Sequence, residues 1–235
     1  MDEGMIKIEP GSPTITLEKL NDLHVPATLE GVLQARLDSL PFAEKQVLQR
    51  AAVIGRNFWD GLLRELTPQE DEAQWVSQRL DALRERGLIY HLERSSIKNN
   101  QEYLFKHALL CDEAYETVLL KHRRTYHNQI AKWIEANAGD RLEEHLALIA
   151  KHYLEGGKST LAADWFIRAG EKALIQCALI EAKDLFEKAL ALLDVGDLPR
   201  LWRATWGHDE VVGRLGALDA RHADDEHLIN LAEKL

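Results

Sequence analysis

Two cysteines in 235 residues exclude a disulfide framework. Cys111 and Cys177 both lie in helix-like sequence without CxxC spacing, which reads as two reduced, packed thiols of a cytoplasmic protein. Six prolines and 14 glycines are too few for an all-β chain built on tight turns, so the fold leans towards helix. No apolar run nears the roughly 20 residues of a membrane span. The longest weakly charged stretch, Ala173 to Ile180, is far too short. The opening Met1-Asp2-Glu3-Gly4 is acidic and lacks the apolar core of a secretory signal. Positive charge is also in short supply. Lys+Arg 29 against Asp+Glu 39 leaves a net charge of −10, which opposes a whole-chain grip on nucleic acid or anionic lipid.

What is present is globular. Hydrophobic residues at 46% and charged residues at 29% suit one large domain or two small ones with real cores. Residues 1–24 read as an entry ribbon: Met5-Ile6-Lys7-Ile8 alternates like a strand, Pro10-Gly11-Ser12-Pro13 turns, and Thr14-Ile15-Thr16-Leu17 returns. Thr28 then caps a helix whose stripe is Leu29, Val32, Leu33, Leu37 and Leu40. Pro41 opens a second helix and Gly55 closes it; a short helix over Phe58–Leu66 and another over residues 69–86 follow, with Gly87 as the stop. The period then switches to two at Leu88–Leu92 and Tyr103–Phe105, around the polar loop Arg94–Gln101. Helices followed by one β-hairpin is the order of a winged-helix domain, here over residues 25–110.

Helical periodicity returns at residue 108 with one long helix to Asn137, then stretches near 142–155, 159–175 and 178–193. Leu146, Ile149, Ala150 and Tyr153 have the first-helix spacing of a tetratricopeptide (TPR) hairpin. Ala162, Phe166 and Ala169 have the second-helix spacing, which Ala182, Phe186 and Ala189 repeat twenty residues on. The expected fold is therefore mainly α: a winged helix with one β-hairpin, then a TPR-like helical array over 111–194. The tail 195–235, interrupted by Gly196, Pro199, Gly207, Gly213 and Gly216, reads as poorly defined apart from a short helix at its end.

Three stretches together resemble one known group. They are Val25-Pro26-Ala27-Thr28-Leu29-Glu30-Gly31-Val32-Leu33-Gln34-Ala35-Arg36-Leu37-Asp38-Ser39-Leu40-Pro41, then Leu48-Gln49-Arg50-Ala51-Ala52-Val53-Ile54-Gly55-Arg56-Asn57-Phe58, then Tyr103-Leu104-Phe105-Lys106-His107-Ala108-Leu109-Leu110-Cys111-Asp112-Glu113-Ala114-Tyr115-Glu116. In this order they resemble the region after the nucleotide-binding core of STAND-type signalling ATPases. The subgroup is the one fused to adenylate/guanylate cyclase domains and carrying TPRs. The resemblance covers residues 20–193 and implies a regulatory section of a larger protein. No GxxxxGK[S/T] phosphate loop and no cyclase metal-binding aspartates occur here, so the section itself is expected to be non-catalytic and to hold no cofactor. ATP or ADP belongs to an upstream NTPase domain. The partners implied are that domain, a cyclase-type output, and a protein or small-ligand signal on the array.

By the same resemblance His107, at the end of the second wing strand, stands where a winged-helix histidine reaches the β-phosphate of ADP; the alternative is a histidine hydrogen-bonded in the core. Arg36 stands as a phosphate or interdomain contact, against an ordinary salt bridge. Tyr153, Phe166 and Phe186 of the array, with Lys121, Arg123 and Arg124 from a stretch without acids (Thr117 to Ile134), are the interaction candidates. The basic cluster points around most of a helix, so a solvated face or an acidic partner is favoured over nucleic acid. A winged-helix nucleic-acid-binding transcriptional regulator is the alternative function. Its groove-entering helix, placed near Phe58–Leu66, carries Asp60, Arg64 and Glu65, a poor match to phosphates. His122/His127 and His222/His227 are spaced i, i+5, and His145/His152 lie two turns apart, so no metal is expected.

Overall fold

The computed structural model describes residues 8–9, 12–13, 29–67 and 72–232, with side chains over 31–67 and 74–217. Of the entry ribbon, the described residues form β1 (Ile8–Glu9) paired antiparallel with β2 (Ser12–Pro13), so Ser12 and Pro13, expected in the turn, belong to the second strand. Met5–Lys7, Thr14–Leu17 and the Thr28 cap lie outside the described residues.

Helix α1 (Leu29–Asp38) packs against α5 (Ala108–Glu116), and α2 (Phe42–Ile54) is the hub of the first half. Pro41 precedes α2 in extended conformation, where its missing N–H costs nothing. Val47, Leu48, Ala51 and Ile54 turn their stripe inward. Gly55 closes the helix at φ 135°, its N–H donating to the Ala51 carbonyl at 3.0 Å; a side chain would be strained there.

A strand not read from the sequence follows: β3 (Asn57–Trp59), and only then α3 (Asp60–Glu65). After α4 (Glu72–Glu85) come β4 (Ile89–Leu92) and β5 (Glu102–Phe105). The sheet therefore has three antiparallel strands in the order β3-β5-β4, not one isolated hairpin. Trp59 and Leu92 both pair with Glu102, while Phe58 pairs with Tyr103. Adding β3 completes the winged-helix sequence of helix, strand, two helices and wing. It also moves the groove-entering position: the helix before the wing is α4, not Phe58–Leu66.

The expected long helix is two. α5 ends at Glu116 and α6 (Leu120–Asn137) begins after extended Leu119. Thr117 Oγ1 donates to the Ala114 carbonyl at 2.6 Å, and Arg123 donates to the carbonyls of Val118 and Glu116, both at 2.7 Å. These bonds satisfy the carbonyls at the α5 end that a continuous helix would have used. A 3-10 turn over Gly139–Glu144 leads to α7 (Leu146–Glu155), α8 (Ser159–Ile175) and α9 (Leu179–Leu190), stacked in succession.

The tail is the largest departure. Residues Leu198–Ala232 form one helix, α10, packed on α9 and α8. Pro199 sits in its first turn, where proline is tolerated. Gly207 is needed inside it because Phe186 of α9 presses there: a Cβ would stand 2.3 Å from the Phe186 Cζ. Arg203 makes a forked pair with Glu171 of α8 at 2.8–2.9 Å, and Arg200 meets Asp164 at 3.3 Å. Cys177 is exposed at φ 59°, not packed as expected; Cys111 is buried. Among the described residues no helix is long and apolar enough to cross a membrane.

Candidate functional site

The winged helix and the array meet along a seam. On the winged-helix side Trp59, at the end of β3, is buried among partners from three elements. Its indole N–H is shared between Glu102 Oε2 and Ser96 Oγ, each at 3.2 Å. Glu102 also accepts from the Ser96 N–H at 2.7 Å, the Ser96 hydroxyl at 2.8 Å and Asn57 Nδ2 at 3.1 Å. Burial alone would push this carboxyl up, but those donors together hold it below the usual carboxylate range. Glu102 thus stays ionised and fixes the base of the wing.

The array answers from α6 and the 3-10 turn. Trp133 stacks on Trp59 with centroids 6.2 Å apart, and His145 meets the same indole edge-on at 5.6 Å. Arg141 Nη1 donates to the Ser95 carbonyl at 3.2 Å, and Lys98 pairs with Asp140 at 2.8 Å. The wing is therefore held by the array at both its base and its tip.

Deeper in the seam lies a cavity of about 650 Å³. Its walls come from the C-terminal end of α2, from β3, from the wing at Ser96 and Glu102, from α5 and from α7, with His145 just ahead of α7 and Leu148, His152 and Glu155 along it. Among its lining residues, His127 of α6 and His152 of α7 meet Nδ1 to Nδ1 at 2.8 Å, and the Tyr115 hydroxyl lies 3.1 Å from His127 Nε2. Burial drives both rings towards neutrality, His127 to about 4 and His152 to about 3, and lowers His145 as well. Cys111 lines the same cavity, but burial pushes its thiol up to about 12, which leaves no thiolate for nucleophilic chemistry.

The residues singled out in the sequence do not converge here. His107 is exposed at the N-terminal edge of α5 and makes no capping bond, so the core alternative is corrected: the strand alternation that buries Tyr103 and Phe105 ends before it. Among the described residues Arg36 forms no salt bridge; its guanidinium donates to the Arg86 carbonyl at 2.8 Å. Tyr153, Phe166 and Phe186 are buried between helices, so they build the array's interior and are corrected from surface to core. Arg123 is spent on carbonyls, on Glu116 at 2.9 Å and over the Tyr115 ring at 4.3 Å, leaving Lys121 and Arg124 as the exposed members of the basic cluster.

The histidine pair that does form, His127–His152, joins residues 25 apart on two helices, and no local spacing signals it. The burial of His152 follows from its place on the α7 stripe, but its partner does not. Among the described residues no group of three or more His, Cys, Asp or Glu side chains is arranged to hold a metal.

No family model and no solved structure matches this chain. Over 185 residues, 79% of its length, the chain is 31% identical to an uncharacterized protein of Rhizobium meliloti (strain 1021). It spans 17% of the length of that protein.

Proposed function

We propose that this chain is a non-catalytic, cytoplasmic regulatory section of a STAND-type signalling ATPase of the cyclase-associated, TPR-containing group. The array senses a protein or small-ligand signal, and the winged helix relays it to an upstream nucleotide-binding core and a cyclase-type output. ATP and ADP belong to that core. The observation that carries the reading is the seam: Trp59 packed on Trp133 and His145, with Ser95 and Lys98 of the wing bonded to Arg141 and Asp140. A displacement of the turn over Gly139–Glu144 therefore moves the wing with it. His107, exposed next to the central strand, is accessible to a phosphate presented by another domain. Ligand binding on the array would then shift the balance between a closed, ADP-bound state and an open one. The relative's length is consistent with this reading, since a section like this one is a minor part of that protein.

A nucleic-acid regulator gains little from the surface. In the groove-entering place, α4 carries two basic residues against three acidic ones, and Lys98 at the wing tip is already paired. The test is co-expression of this chain with the upstream nucleotide-binding core. The reading expects co-purification with bound ADP, and loss of that ADP in His107→Ala. Retention unchanged in the variant contradicts the sensor role of His107, and failure to co-purify contradicts the relay.

A further inference from the structure

The corner between α5 and α6 carries apolar surface and positive charge that the fold leaves uncovered. Leu119, just ahead of α6, is 60% exposed, and Leu120, its first residue, is 75% exposed. The corner beneath them is fixed. Val118 is buried, and Gln49 Nε2 of α2 donates to Thr117 Oγ1 at 2.9 Å. Single exposed apolar side chains are ordinary, but two in succession on a held corner make a patch.

Charge is distributed unevenly around that patch. Arg123 folds back onto the Val118 and Glu116 carbonyls and pairs with the Glu116 carboxylate at 2.9 Å. This engages the last acid before a run that holds none until Glu135. Lys121 and Arg124 are exposed, and among the described residues their side chains form no ion pair. Lys121 stands three residues before Arg124 and Leu120 four, so all three share one side of the opening turns of α6. The helix also begins with no side-chain cap and no acid in its first turn, which leaves the positive end of its dipole uncompensated.

We propose that this corner docks an acidic amphipathic segment of a protein partner. The apolar side chains of that segment cover Leu119 and Leu120, and its carboxylates meet Lys121, Arg124 and the start of α6. Unpaired cations beside exposed leucines match a segment that has both features, and a basic segment would be repelled. The net charge of −10 decides between a short segment and an extended polyanion. A bilayer or a duplex sets negative charge against the rest of this acidic chain, whereas a few helical turns of polypeptide meet the corner alone. Two leucines and two cations fall well short of the roughly 800 Å² per partner of a standing complex, so the contact is weak and reversible.

As a docking point on the array this deepens the relay reading by naming the chemistry of the partner, and it rests on that reading. The binding test uses the present chain alone, so it can fail while co-purification with the nucleotide-binding core succeeds, and the reverse.

The probe is a fluorescent, end-capped peptide of about four helical turns, with Leu at i, i+3, i+4 spacing and Glu and Gln elsewhere. One control replaces each Glu by Lys, and the other replaces each Leu by Ser. At low salt the Leu/Glu peptide is expected to bind saturably by anisotropy, at least about fivefold more tightly than either control. Lys121→Gln/Arg124→Gln and Leu119→Ser/Leu120→Ser should each weaken it by about fivefold or more, and all four side chains are at the surface or half-buried at most in their own fold. The chain is expected not to co-sediment with phosphatidylserine vesicles. No saturable binding of the Leu/Glu peptide, equal binding of the Lys control, or binding unmoved by both double variants overturns the proposal. Co-sedimentation with the vesicles that is lost in Leu119→Ser/Leu120→Ser overturns it in favour of a membrane contact.

Discussion

His127 and His152 face each other Nδ1 to Nδ1 at 2.8 Å, so they must share one proton. A second proton on the pair would set two N–H groups against each other inside the seam. Burial is the first cause of the depressed values of both rings; Lys151 and Arg123 add to it for His127, and the His127 ring and Lys151 for His152.

This pair predicts acid sensitivity. Both rings take up protons in the unfolded chain near their ordinary value of 6.5, but in the folded chain only near 4 and 3. The unfolded state therefore binds more protons within that window, and folding loses stability as pH falls through it. Stability should be full above pH 6.5 and then decline by up to about 1.4 kcal/mol per pH unit for each ring. Urea unfolding at stepped pH, compared with His152→Gln, checks this; an identical slope in the variant contradicts it.

Glycine in α10 predicts opposite outcomes at two sites of one helix. Gly207→Ala drives a Cβ into Phe186 and should cost about 1–3 kcal/mol despite the better helix propensity of alanine. Gly213→Ala meets nothing within 4 Å and should stabilise by up to about 1 kcal/mol. Thermal unfolding of both variants decides the matter.

That contrast also explains what was legible in the sequence. The winged-helix order was readable because the apolar period switches from helical to alternating at Leu88, and because Gly87 separates the two patterns. The strand Asn57–Trp59 was hidden because three residues whose apolar members also fit the next helix carry no period of their own. α10 is hidden in the sequence because glycines look like breaks, whereas Gly207 is an accommodation to a side chain on another helix. The split at Thr117 is silent in the sequence because the apolar stripe runs on through it, and the bonds from Thr117 and Arg123 that end α5 are invisible to periodicity. Of the candidate site, the sequence spacing of His145 and His152 says only that they lie too far apart for one ion. The contacts that define the seam, Trp59–Trp133 and His127–His152, are tertiary pairs with no local signature.

The two attachments of the wing should differ in strength. Lys98 and Asp140 are largely exposed, so Lys98→Ala should change stability by about 1 kcal/mol at most. Trp59→Phe keeps a ring against Trp133 but removes a donor from buried, ionised Glu102, and should cost about 1.5–3 kcal/mol. Chemical denaturation of the two variants tests this order, and a larger loss in Lys98→Ala reverses it.

A gel shift with generic duplex DNA at low salt should show no binding, because α4 carries more acidic than basic residues and Lys98 at the wing tip is already paired. Salt-sensitive retention of the duplex, lost in a Lys121→Ala/Arg124→Ala variant, would support the nucleic-acid reading instead.

Whether the array holds the wing can be read from amide hydrogen exchange in Trp133→Ala. Trp133 belongs to α6 of the array, while the Ser96 N–H is bonded to Glu102 within the winged helix. Exchange at Ser96 and Ile97 should be faster in the variant, with Ile149 and Ala150 in the array core still protected. Wing amides that exchange at the wild-type rate in Trp133→Ala would contradict it.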